Sequence, residues 1–283
     1  MSIDQASGLL RVAAVQMTST TRVDANLRAA ETLIAEAAAQ GARLVALPEY
    51  FCIMGARDTD KVAVREAEGR GPIQEFLAAQ AARHQVWLVG GTLPLAAPQA
   101  DRVLNSVLVF DPSGRQVARY DKMHLFRYAA GGESYDEART IAPGAKVSAF
   151  DLELPGVRMR VGLSVCYDLR FPELYRALAG SDRPCDLILV PAAFTAVTGR
   201  AHWETLLRAR AIENQCYVLA PAQAGRHENG RATYGHSMLI DPWGQVVACR
   251  TDAEGPGLVI GDVDPGRIAQ VRSSLPALSH RII

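Results

Sequence analysis

Apolar residues along this chain recur in two patterns. Short, nearly continuous runs such as LRVAAVQM (10–17), RLVALPE (43–49) and VWLVGGTL (86–93) read as strands, because a strand covered on both faces keeps no polar side. Between them lie segments with apolar residues at helical spacing. RVDANLRAAETLIAEAAAQ (22–40) stops at Gly41, a residue suited to the position after a helix C-terminus. A second helix is predicted from Pro72, where proline fits the first turn, to about His84. NSVLVFDPSGRQVARYDK (105–122) then reads as a hairpin around Asp111-Pro112-Ser113-Gly114, with Pro pre-setting φ.

The second half repeats this order. RVGLSVCYD (160–168) predicts a strand, PELYRALAG (172–180) a helix and DLILVPAAF (186–194) a strand. AHWETLLRARAIENQ (201–215) is a longer helix and CYVLAPAQ (216–223) another strand. HSMLIDPWGQVVACR (236–250) is a hairpin around Asp241-Pro242-Trp243-Gly244. A last strand, GLVIGDVD (257–264), precedes a helix from Pro265 to near Leu275. Buried parallel strands need helices against them. The pattern therefore predicts an α/β fold, a four-layer α-β-β-α sandwich of two mixed sheets with pseudo-repeated halves. No linker separates the halves, so residues 1–283 read as one domain.

Composition narrows the function. Lys plus Arg and Asp plus Glu number 30 each, so no net field draws the chain to nucleic acid or an anionic membrane. No apolar run approaches the roughly 20 residues that span a bilayer, and the first residues lack the pattern of an export signal. The five cysteines are scattered, with no C-x-x-C pair, which predicts free thiols, a reducing cytoplasmic setting and neither disulfides nor a zinc site. The histidines are scattered too, and no Gly-rich phosphate loop follows a strand, so neither metal nor cofactor is expected.

In α/β sheets, chemistry gathers at the carboxyl ends of parallel strands. Glu49 follows one such run, Cys166 another, and Lys122 ends the hairpin strand QVARYD. Singly, each has an ordinary structural reading: a buried inert thiol, a turn carboxylate, a solvated lysine. Together they have a joint use, in which a carboxylate takes a thiol proton, sulfur attacks a carbon bonded to nitrogen, and an ammonium holds the oxyanion. Cys166 precedes a helix predicted near Pro172, whose positive end would favour the thiolate. Cys52, three residues beyond Glu49, is the competing thiol.

These residues resemble the nitrilase superfamily of carbon–nitrogen hydrolases, over nearly the whole chain. The resemblance is carried by LVALPEYF, YDKMHLF, EARTIAPG, GLSVCYDLRFPELYRAL, HWETLLRARAIENQCYVLAPAQ and GHSMLIDPWG. It implies Glu49 as general base, Lys122 as oxyanion-stabilising cation and Cys166 as nucleophile. It also implies the Tyr167 backbone N–H as a second oxyanion donor and Glu137, opening EARTIAPG, as a supporting glutamate. Arg170 and Phe194 are implied substrate contacts, though Arg170 has an alternative as ion-pair partner of Glu173. The C-Y-D-x-R-F-P-E variant is most similar to the deaminated glutathione amidase and omega-amidase branch. This implies hydrolysis, with water, of the terminal amide of a small carboxylate-bearing molecule, releasing ammonia. HLFRYAAGGESYDE departs from many members of that branch, which have an Asp soon after H-L-F and a Pro-Gly further on, and the departure lies where it would border the substrate.

The same triad would serve a nitrilase or an N-carbamoyl amidase, and the fold also admits a non-catalytic binding subunit. A cysteine–histidine hydrolase would instead use His124 or His236 as base. The family pairs helices from the regions of PELYRALAG and AHWETLLRARAIENQ across a two-fold axis, which implies at least a homodimer.

Overall fold

The strand Leu10–Gln16 runs parallel to Leu44–Ala46, which runs parallel to Trp87–Val89. Val103–Phe110 continues this sheet antiparallel and carries Leu93–Ala96 and Gln116–Asp121. The computed structural model describes residues 8–130, 133–180, 183–252 and 255–282. In the second sheet Val157–Leu163, Leu187–Leu189 and Tyr217–Ala220 are parallel, and Met238–Ile240 and Val246–Cys249 extend it antiparallel. The two halves thus repeat the same strand order, as the hydrophobic pattern predicts.

Each sheet also has an antiparallel strand beside its first parallel one. Ala149–Leu154 takes this place next to Val157–Leu163. The equivalent strand on Leu10–Gln16 is Gly257–Val263, which returns from the end of the second half and pairs from Leu10↔Val263 to Gln16↔Gly257. The last strand therefore completes the first sheet.

Alternation along the strands divides the core. Ala13, Val15 and Val45 face Ile34 and Leu77 of the helices Val23–Ala39 and Pro72–His84. Val12, Ala14, Leu44 and Ala46 point the other way, into one cluster with Leu163, Leu187 and Leu189 of the second sheet. Trp203 and Leu207 of the helix Ala196–Asn214, and Leu174 of Pro172–Leu178, close the far side. The layers run helix, sheet, sheet, helix. Among the described residues no helix is long and apolar enough to cross a membrane.

One expectation needs correcting. The strand read over 160–168 ends at Leu163, and Cys166–Arg170 is a 3₁₀ helix that begins on the cysteine itself. The segment after Phe126, where the sequence departs from the branch pattern, forms a small hairpin in which Arg127–Ala130 pairs antiparallel with Glu133–Asp136. A second small hairpin joins Ala224–Arg226 to Ala232–Tyr234. Neither hairpin has a continuous apolar run to announce it. Gly131 and Gly132, between the first pair, lie outside the described residues, as do residues 1–7.

Candidate active site

Strand ends bring the three candidate groups together. After Leu44–Ala46 the chain turns at Tyr50, whose φ of 58° is left-handed and whose N–H donates to Thr92 Oγ1 at 2.8 Å. The neighbouring Gly91 is required, because a Cβ there would lie 2.1 Å from the Pro48 carbonyl oxygen. Lys122 leaves the end of Gln116–Asp121, with its own N–H bonded to Asn105 O at 3.0 Å. Cys166 is held by its N–H on Pro191 O at 3.0 Å and has φ 46°. A left-handed non-glycine residue is strained, and such strain clusters where a side chain must be aimed.

Lys122 Nζ lies 2.8 Å from Glu49 Oε1 and 2.9 Å from Glu137 Oε1, and its side chain is wholly buried. Glu49 also accepts from Asn105 Nδ2 and from the Ala193 N–H, each at 2.9 Å. Glu137 accepts from the Tyr50 hydroxyl at 2.7 Å and the Phe126 N–H at 2.8 Å. Burial alone would depress the lysine, but the charges of Glu137 and Glu49 outweigh it and raise its pKa. For Glu137 burial pushes upward, yet Lys122 and the hydrogen bonds hold it below the ordinary carboxylate value. One ammonium between two carboxylates is a fixed, preorganised charge.

The thiol differs from the expectation drawn from the sequence. Burial raises Cys166 well above the usual thiol value, Glu49 raises it further, and Lys122 only partly opposes them. The resting group is a neutral thiol, because desolvation and a nearby anion outweigh the positive end of a short 3₁₀ helix. Cys52 is fully buried, with Sγ 3.8 Å from Thr92 O, and its pKa is also raised, chiefly by burial.

Cys166, Tyr167, Phe194 and Thr198 line a cavity beside Glu137. Tyr167, second in the 3₁₀ helix, has its N–H at a helix start, where a donor has no intrahelical acceptor. Arg170 directs Nη1 to His202 Nδ1 at 3.2 Å and lies over the rings of Phe194 and Tyr167. Its ion pair with Glu173 is not formed among the described residues, and it braces the wall residues Phe194 and Tyr167. His124 Nδ1 lies 2.7 Å from Asp168 Oδ1, and His236 Nδ1 lies 2.7 Å from Tyr234 O. Both histidines are thus engaged away from the thiol.

Sequence reasoning missed Asn105, Tyr50 and Arg231. A lone asparagine opening the apolar run NSVLVF was a usable signal for the first. Arg231 sits in a polar turn that no periodicity marks, yet it lines the cavity at Cys166 and donates to Ala193 O at 2.7 Å. Among the described residues no group of three or more His, Cys, Asp or Glu could hold a metal ion.

The family model described as carbon–nitrogen hydrolase matches residues 11–273. The chain belongs to the carbon–nitrogen hydrolase family. A deaminated glutathione amidase from Synechocystis sp. is 45% identical over 274 residues, 95% of this chain and 97% of the relative. The crystal structure of Saccharomyces cerevisiae Nit3, of the nitrilase superfamily, matches with a TM-score of 0.85 at 31% identity, covering 98% of each chain. A Nesterenkonia sp. AN1 amidase, with acrylamide added at its active site cysteine, matches with a TM-score of 0.75 at 28% identity over 94% of this chain and 98% of that one. This carbon–nitrogen hydrolase is an amidase acting on bonds other than peptide bonds.

Proposed function

We propose that the chain hydrolyses the amide of a small carboxylate-bearing molecule through a thioester on Cys166. The observation that carries this reading is Lys122 Nζ held between Glu49 and Glu137 beside the thiol cavity. Glu49 takes the Cys166 proton as sulfur bonds to the amide carbon, so the neutral resting thiol is no obstacle. The carbonyl oxygen gains the charge and faces Lys122 and the Tyr167 N–H. Collapse breaks the carbon–nitrogen bond while Glu49 returns its proton to the departing nitrogen. Water then attacks the thioester, Glu49 accepts a water proton, and the carbon–sulfur bond breaks to restore the thiol.

Relatives bearing the name deaminated glutathione amidase support a carboxylate-bearing substrate, and Phe194 would pack against it while Arg170 holds that wall. A panel of ω-amides, N-carbamoyl amines and nitriles tests the reading. The ω-amides should turn over best, and preference for nitriles would overturn it.

We also assign the protein to the cytoplasm, which five free thiols fit, as one catalytic domain acting as at least a homodimer. Trp203, Leu207 and Ala211 are consumed by the core, so the support for pairing rests on Ile212, 49% exposed on the same helix, and Trp243, 56% exposed. Sedimentation should give a mass of twice the chain's 30.5 kDa or more; a monomer at all concentrations would reject the dimer.

A further inference from the structure

The cavity at Cys166 continues outward. It shares Phe126, Glu137 and Arg231 with a second, larger cavity, whose other walls include Tyr50, Lys61 and Tyr135. An amide has two arms, one on its carbon and one on its nitrogen. With the reacting carbon at Cys166, an arm that passes Arg231 enters the outer cavity.

Two cations stand in that path. Lys61 is half-buried, donates to Thr140 Oγ1 at 3.3 Å and lies 5.8 Å from the Tyr50 ring centroid. Arg231 donates through Nη2 to Ala193 O, lies 5.1 Å from the Tyr135 ring centroid, and has a buried Nε with no acceptor. Among the described residues neither has a carboxylate within 4.0 Å. Glu137 is hydrogen-bonded by Lys122, Tyr50 and Phe126, so its charge reaches Lys61 and Arg231 only through space. Asp58, exposed and screened by solvent, and Asp136, half-buried, line the same cavity and oppose an anion, though neither is in ion-pair contact with Lys61 or Arg231. Arg57, also on the wall, is bound to Asp60. Lys61 and Arg231 are thus two partly desolvated cations facing one space without a carboxylate in direct contact, an arrangement that a bound anion would stabilise.

We propose that Lys61 and Arg231 form a carboxylate subsite, so that the substrate carries an anionic group on the arm that leaves the cavity at Cys166. This rests on the reading of Cys166 as an amidase nucleophile. The guanidinium supplies a planar fork and the lysine a point charge, a pairing that suits a carboxylate.

Lys61→Met is the deciding variant, because Arg231 also holds the Ala193 carbonyl. Three amides serve as probes: glutaramate, with its acid on the carbon arm, N-acetylglycine, with its acid on the nitrogen arm, and neutral butyramide. In Lys61→Met the ratio of kcat/KM for one acid probe to that for butyramide should fall about tenfold, the size of one charged hydrogen bond. Which probe responds identifies the arm. Ratios unchanged for both acids overturn the subsite. Binding is measured separately on Cys166→Ala protein by calorimetry with glutarate, which should weaken about tenfold on adding Lys61→Met. Equal glutarate affinity with and without Lys61 also overturns the proposal. Absence of turnover of any amide by the unaltered protein would instead overturn the amidase reading, leaving the glutarate result to decide the subsite alone.

Discussion

His124 Nδ1 lies 2.7 Å from Asp168 Oδ1, and the His124 backbone N–H donates to the same oxygen at 3.0 Å. An ionised carboxylate only accepts, so Nδ1 carries the proton. The other oxygen, Oδ2, accepts from the Tyr120 hydroxyl at 2.7 Å and the Val165 N–H at 2.9 Å. Tyr120 and His124 flank Lys122, while Val165 precedes Cys166. A single buried carboxylate thus ties the strand end of Lys122 to the turn of Cys166.

Asp168→Asn would present an amide N–H₂ to donors that now find an acceptor. We expect a loss of about 3 kcal/mol in stability, typical of breaking a buried charged network, and a fall in kcat with KM little moved. Urea unfolding and steady-state kinetics check this; a KM effect alone would contradict a positioning role. His124→Ala should lower kcat without altering the shape of the pH profile. Loss of a histidine-like limb would instead make His124 the base.

Glu137→Gln removes one charge from the cluster but keeps its size. Turnover should fall roughly 100-fold, comparable with losing a positioned electrostatic group. Glu133, whose side chain lies outside the described residues, is the comparison: Glu133→Gln should be nearly silent. The reverse result would mean that the second glutamate is misassigned.

Glu137 also sets a pH dependence. Its pKa is held below the unfolded value, so it stabilises the fold above about pH 4.3, the ordinary glutamate value. That contribution disappears as pH falls through the lower, native value. Glu137→Gln should therefore cost stability at pH 7, and the deficit should shrink in acid. A deficit that stays constant across urea titrations at both pH values would contradict this ionised state.

The raised thiol predicts slow alkylation at rest. Iodoacetamide labelling of Cys166 should keep accelerating through pH 9, without a plateau near neutrality. Cys249, half-buried, is the competing thiol, and Cys52 should stay unlabelled. Peptide mapping by mass spectrometry that found a plateau below pH 8 would restore the low-pKa thiolate.

The layers and strand order were legible because both strand types carry strong apolar runs, and the helix at Pro72–His84 has clear end signals. Glu49, Lys122 and Cys166 were legible as candidates because all three lie at strand ends. The hairpins after Phe126 and Pro221 were not, since their strands are short and carry no continuous apolar run. Arg231 was hidden because its importance comes from what the fold places beside it. The thiol's state was misread because helix position was visible in the sequence, whereas burial and the approach of Glu49 were not.

The decisive measurement is acid-quench mass spectrometry of the protein during turnover of a carboxylate-bearing amide such as glutaramate. An acyl group added to the peptide carrying Cys166, with release of ammonia, is the predicted result, and folded Cys166→Ala protein should neither form it nor turn over. Sustained hydrolysis by that variant, or an acyl group mapped to another residue, would contradict the thioester mechanism.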